Sequence, residues 1–517
     1  MHTLKRFSEN IKWLFIGTMA SNFISVFISI FLIRKLAVAD FGIYSLFMGS
    51  LSIFAIFSIN GIVVAIRRFI PELVQKKYYK YHKLIIIKLY LISLLLIFIT
   101  ILIVYIYREQ IGFYLKIDKF ELYYSIFIIN IFLFLQASIT NNLLVTLFEQ
   151  KFLSIIGVVS IIARGVLYAI FLSQLTIDLI FIIEAICMGI KALPSLYFTY
   201  KKITELEKDS GLTISQEETK DFVKRIRRFS LLSTANEMGE GGFSQISDYY
   251  FVSAYLGPFA MGLYAFPYKI LSTIFDWIPM VQLNNIFKPY FITKYYEKDE
   301  DSAYLSDMFN FITKVYFFFY AAIVVGVISY QHLIQVYVFN SKYLETQTLI
   351  VIVILFYLLR SFAFPISIII EIKEKIEYTL YAKIFAVFNV FAVIFVLEYT
   401  GWNLIGVALA TGVSGLLRNI YLYFKMKQIS KVRLNFPEMY KSLVIFLAMG
   451  CSMYGLSLIN NIVTQVVLPA MTGLLLFQLL YRTLRPFNKN EEAILSNLLG
   501  RLPKMYFISK FLALNQS

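Results

Sequence analysis

Seven charged side chains stand where a charge is costly: Arg164, Lys269, Arg360, Lys383, Glu237, Glu240 and Asp248. Each lies in an apolar stretch, where insertion scales put a charge at roughly 2.5–3.5 kcal/mol. Arg164 and Arg360 fall near the centres of their stretches, and Lys269 and Lys383 a quarter to a third of the way in. Such cations either face a water-filled interior or pair with acids inside a helix bundle. Lys88, Lys191, Lys314 and Arg418 lie toward stretch ends, where a long side chain reaches the interface.

The acids have a pattern of their own. Ser233, Glu237, Glu240, Ser244 and Asp248 recur every three or four residues, which places them along one helix face. Leu231, Met238, Ile246 and Tyr249 occupy the other. Gly239, Gly241 and Gly242 allow this helix to bend. A helix of that polarity is not expected to face lipid. The first apolar stretch carries a milder stripe of Thr18, Ser21, Asn22, Ser25 and Ser29. Two polar stripes suggest two helices lining one cavity, although Ser and Gly faces also serve plain helix packing.

Catalytic chemistry is missing from the sequence. It contains no P-loop, no HExxH, no GxSxG and no Cys/His metal cluster. Cys187 and Cys451, the two cysteines, both lie in apolar stretches. We therefore expect no catalytic residues, no metal site, no cofactor and no ATP-driven step in this chain.

The elements that must position these residues are membrane spans. Of 517 residues, 59% are hydrophobic and 15% charged, with mean hydropathy +0.72. Ordinary globular chains run at about 45–50% and 25%. Runs of roughly 20 apolar residues recur throughout. We read an all-α polytopic membrane protein with about 14 transmembrane helices. They fall near 13–33, 41–66, 84–106, 121–147, 152–175, 177–199, 229–255, 259–286, 309–329, 347–371, 377–398, 402–424, 440–459 and 463–481. The first is too long for a cleaved signal segment and is closed by Arg34-Lys35.

The net charge of +16 is explained by topology rather than by nucleic acid. About 34 of the 48 Lys and Arg fall on one side, about six on the other and about eight within spans. That asymmetry puts both termini in the cytoplasm. No outside loop exceeds about 17 residues, so there is no room for an extracellular domain.

A repeat sets the plan. Leu36-Ala-Val-Ala-Asp-Phe-Gly-Ile-Tyr-Ser45 returns as Leu256-Gly-Pro-Phe-Ala-Met-Gly-Leu-Tyr-Ala265. Leu36, Gly42 and Tyr44 match Leu256, Gly262 and Tyr264 at equal spacing. Each copy joins two spans, and six spans separate the copies. The expected architecture is two parallel-repeat six-helix bundles plus two extra C-terminal helices. The expected divisions are 1–200 for the first bundle, 201–228 for a cytoplasmic linker and 229–430 for the second bundle. Extra helices follow at 431–485, with a tail at 486–517 that is a plain anchor or an amphipathic helix.

Arg34-Lys-Leu-Ala-Val-Ala-Asp-Phe-Gly-Ile-Tyr-Ser45, the segment from Asp248 through Gly257, Gly262, Tyr264 and Lys269, and Gly401-Trp-Asn-Leu-Ile-Gly-Val-Ala-Leu-Ala-Thr411 together resemble bacterial polysaccharide flippases. These are the O-antigen and exopolysaccharide exporters of the multidrug/oligosaccharidyl-lipid/polysaccharide (MOP) superfamily. The resemblance covers almost the whole chain. It implies a V-shaped pair of bundles that moves undecaprenyl-diphosphate-linked oligosaccharide across the bacterial inner membrane by alternating access. Arg164, Lys269, Arg360 and Lys383 would supply a cationic cavity for the diphosphate. Glu237, Glu240 and Asp248 would carry a coupling H⁺ or Na⁺, or pair with the cations. The lipid bilayer is the other partner, and a polysaccharide polymerase a further one. The first span lacks an internal Arg, which favours polysaccharide over peptidoglycan precursor. A multidrug or cation antiporter of the same superfamily is the alternative, and a membrane glycosyltransferase or glycan polymerase a more distant one.

Overall fold

The structure is a computed structural model, and it describes residues 2–75, 79–147, 149–208, 216–241, 245–277, 295, 297, 301–375, 377–430, 432, 434–457 and 462–500. All regular structure among them is helical. Twelve of the described helical segments are long and apolar enough to cross a membrane. They correspond to the expected spans except the seventh and eighth. Residues 242–244 of the expected seventh span and 278–286 of the eighth lie outside the described residues. The chain is a multi-pass membrane protein.

Two compact units form: 1–273 with 389–407, and 274–388 with 408–517. In the first, α1 (His2–Lys35), α2 (Val38–Ser58), α3 (Asn60–Gln75), α4 (Tyr79–Ile106), α5 (Arg108–Tyr114) and α6 (Phe120–Thr146) are followed by α7 (Gln150–Ile170), α8 (Ile177–Lys208), α9 (Gln216–Gly241) and α10 (Gln245–Trp277). Thus α9 and most of α10 pack with the N-terminal helices.

The sorting of side chains on α4 shows what solvent surrounds this unit. Leu84, Ile87, Leu91, Leu95, Phe98 and Leu102 are exposed, while Ile85, Ile86, Leu89, Ser93 and Ile97 are buried. The outward face is as apolar as the inward one, an arrangement that only hydrocarbon tolerates. Inside, Phe47 of α2 lies 5.1 Å from both Phe127 of α6 and Phe181 of α8, ring centre to centre. The fully buried Asn130 donates its amide nitrogen to the Phe181 carbonyl at 3.0 Å, which ties α6 to α8.

Gly257 interrupts α10 with φ 85°, a left-handed conformation that glycine adopts without strain. The kink falls at the turn that opens the second repeat copy. Ser253 Oγ donates to the Leu115 carbonyl at 2.7 Å and Lys116 Nζ to the Tyr255 carbonyl at 2.7 Å, which ties the turn to the end of α5.

The second unit is built on α11 (Ser302–Leu333). Asp301 caps it by accepting from the Ala303 N–H at 2.9 Å. Then come α12 (Gln347–Leu359), α13 (Ala363–Ile372), α14 (Glu377–Tyr381), α15 (Ile384–Tyr399), α16 (Asn403–Ser430), α17 (Phe436–Ser457), α18 (Ile462–Leu484) and α19 (Lys489–Gly500), of which most of α15 and the start of α16, residues 389–407, belong to the first unit. Phe318 of α11 meets Phe446 of α17 and Phe477 of α18. Lys314, expected to reach for the interface, instead pairs with Glu491 of α19 at 2.8 Å. The tail expected at 486–517 is described as far as residue 500 and is helical over Lys489–Gly500; the remainder lies outside the described residues.

Candidate functional site

The two repeat copies meet. A Cβ built on Gly42 of α2 would collide with the Pro258 carbonyl and come within 2.8 Å of the Gly262 nitrogen. One on Gly262 would collide with the Val38 carbonyl. Small residues let the two backbones touch, as they do wherever membrane helices pack closely. Gly61 of α3 repeats the device against α9, where a Cβ would come within 2.6 Å of the Ser230 carbonyl.

Each repeat tyrosine then holds a buried carboxylate. Tyr44 donates to Glu184 Oε1 at 3.3 Å, and Tyr264 donates to Asp248 Oδ2 at 2.8 Å. Both carboxylates are 0% exposed. Tyr268 shares the second cluster, with its hydroxyl 3.1 Å from that of Tyr264. Glu184 also accepts from Tyr168 at 2.7 Å and ion-pairs with Arg164 at 2.5 Å.

That last contact answers the choice left open for Arg164: it pairs with an acid. Its side chain is 24% exposed, so part of the guanidinium still reaches the surface of its unit. Glu184 and Tyr168 were not singled out from the sequence. The signals were there, since Glu184 is a carboxylate within an apolar run and Tyr168 stands four residues beyond Arg164, on the same helix face.

The stripe on α9 and α10 is divided in its contacts. Thr234 and Ser230 meet Gly61, and Glu237 accepts from the Asn60 amide at 3.1 Å. Glu237 of the stripe, with Ser230 and Thr234 beside it, thus packs α9 on α3. Glu240 lies in α9, but its side chain is outside the described residues, as is Ser244. Asp248 belongs to the buried tyrosine cluster. Lys269 follows Tyr268 on α10 and is half-buried.

Arg360 and Lys383 belong to the second unit. Lys383 is half-buried between α14 and α15. Arg360 opens a tight turn, Arg360–Phe362, that breaks the expected tenth span into α12 and α13. It is exposed, and its guanidinium lies 5.4 Å from the centre of the Tyr357 ring. Tyr357 stacks on Phe275 at 5.0 Å, and Phe275 meets Tyr320 at 4.9 Å. Cation–π contact holds a guanidinium in place without cancelling its charge. Where Arg164 and Lys314 have carboxylate partners, Arg360 has no ion pair among the described residues.

A family model described as polysaccharide biosynthesis protein matches residues 7–282, more than half of the chain. The chain belongs to this family. The matched stretch holds both repeat copies, Arg164, Glu184, Glu237, Glu240, Asp248 and Lys269. No curated protein matches the chain.

Among solved structures, the lipid II flippase MurJ in an inward closed conformation is similar, with TM-score 0.67 at 16% identity over 91% of this chain and 99% of that one. An inward-facing multidrug resistance MATE family transporter of the MOP superfamily gives 0.64 at 15% identity, over 80% and 96%. An outward-facing form of such a transporter gives 0.55 at 15%, over 82% and 97%. At these identities the likeness defines the fold. This family member has the MOP transporter fold, as the resemblance implied.

Proposed function

We propose that the protein is a flippase for undecaprenyl-diphosphate-linked oligosaccharide in the bacterial inner membrane, serving O-antigen, capsule or exopolysaccharide synthesis. It transports and does not catalyse a covalent step. The observation that carries this reading is Arg360: an exposed guanidinium at a break in a membrane-spanning segment, held against the Tyr357 ring and with no ion pair among the described residues. A guanidinium placed so suits a diphosphate, which it binds through two parallel hydrogen bonds. Lys269 and Lys383 add to it. Arg164 joins only when Glu184 releases it.

In this reading the units alternate between inward-open and outward-open states, and entry of H⁺ or Na⁺ at Asp248, Glu237 and Glu240 biases the exchange. Both termini lie in the cytoplasm, six spans form each half, and a polymerase receives the product. The resemblance to a lipid II flippase and the family's link to polysaccharide synthesis support the reading.

The test is deletion of the gene followed by leaflet-specific labelling of lipid-linked repeat units. Accumulation on the cytoplasmic leaflet, with loss of surface glycan, is expected. Normal glycan display with loss of resistance to cationic drugs would instead favour the second reading, a cation antiporter. The MATE likeness and the buried Asp248–Tyr264 pair support that one.

A further inference from the structure

The transport reading leaves an apolar cavity of about 400 Å³ in the first unit unused. It lies between α2, α4 and α6, beside α5, and is walled by residues such as Phe47, Phe54, Ile103 and Phe127. Two of its hydroxyls are taken up in a relay: Tyr250 donates to Ser50 Oγ at 2.6 Å, and Ser50 donates to the Leu46 carbonyl at 2.6 Å. The volume falls within the roughly 300–1,000 Å³ of small-molecule sites. Along α2 the lining runs from Leu46 to Phe57, about 16 Å at the helical rise. That is close to half of the ~30 Å hydrocarbon thickness, the depth that one leaflet's chain covers. Phe57 and Ile103, both more than half exposed, form its lipid-facing rim.

Next to this cavity is a polar one of about 380 Å³, which shares Phe120 with it. Its charged lining is Arg108, Glu109, Lys116, Asp118 and Glu121. Arg108 stands 3.2 Å from Glu121 and 3.9 Å from Glu109. Three acids against two bases disfavour a diphosphate. They suit a head group that carries both signs, with its phosphate toward Arg108 and its ammonium among the carboxylates.

We infer that the two cavities form one binding site for a bilayer phospholipid with a zwitterionic phosphoethanolamine head, one of its two acyl chains in the apolar cavity and its head at the polar one. The site is separate from the cations assigned to transport, and its test does not depend on them.

The full-length protein in detergent would be incubated with phosphatidylethanolamine or phosphatidylglycerol of identical chains, or with undecaprenyl phosphate, and bound lipid counted by native mass spectrometry. One phosphatidylethanolamine should be retained at least fivefold over phosphatidylglycerol. Val104→Trp, which fills the apolar cavity, should lose it. Glu109→Lys, at a side chain 72% exposed and so harmless to the fold, should abolish the head-group preference while a lipid stays bound. Equal retention of both lipids by the wild type, unchanged preference in Glu109→Lys, or stronger retention of undecaprenyl phosphate would each overturn the assignment.

Discussion

Gly42 and Gly262, the matching glycines of the two repeat copies, lie against each other, with a Cβ on Gly42 reaching within 2.8 Å of the Gly262 nitrogen. The repeat therefore does more than mark two equivalent turns. It supplies both sides of one contact within the first unit, between α2 and α10.

Gly42→Val and Gly262→Val should each destabilise the protein, by about 1–3 kcal/mol or more, because backbone atoms cannot move aside as a side chain can. Thermal unfolding in detergent, followed by size-exclusion chromatography, measures this. Gly326→Ala, with open space around it inside a helix, should not lower the midpoint.

Removing one member of the Arg164–Glu184 pair should cost more than removing both. Glu184→Leu leaves a cation largely surrounded by protein, and such losses run to about 3–5 kcal/mol. The double variant Arg164→Leu/Glu184→Leu should recover much of that. A melting point lower for the double than for the single variant would contradict the pairing as an energetic unit.

At Arg360 the substitutions separate charge from geometry. Arg360→Ala should abolish surface polysaccharide while the protein still inserts at normal levels. Arg360→Lys should restore only part, because an ammonium lacks the planar fork that both stacks on Tyr357 and grips a phosphate. Glycan staining alongside membrane immunoblots reads both. Full display in Arg360→Ala would remove the residue from the proposed site.

Tyr264→Phe takes a hydrogen bond from a fully buried carboxylate, and stability should fall by about 1–3 kcal/mol. If Asp248 binds the coupling ion, the same change should also alter the dependence of transport on the imposed H⁺ or Na⁺ gradient. Tyr44→Phe touches the Arg164–Glu184 cluster instead and should leave that dependence as it was. Transport into proteoliposomes under each gradient distinguishes the two tyrosines.

The amino-acid sequence alone determined the membrane class, the helical character, most of the spans and the candidate charges. These follow from local quantities: the length of an apolar run, the cost of a charge within it, and the spacing of a motif. Only the tertiary structure decided what each charge meets. Arg164 and Glu184 lie on different helices, and no periodicity in either helix reveals that they touch. The stripe on α9 was legible as a polar face, but whether that face lines water or a neighbour depends on Asn60 and Gly61, far away in the chain. Arg360 was visible as a costly residue and Tyr357 stands only three residues before it, yet the break at Arg360–Phe362 that exposes it was not legible in the apolar run. Hydrophobic run length is written along one helix; pairing is a property of two.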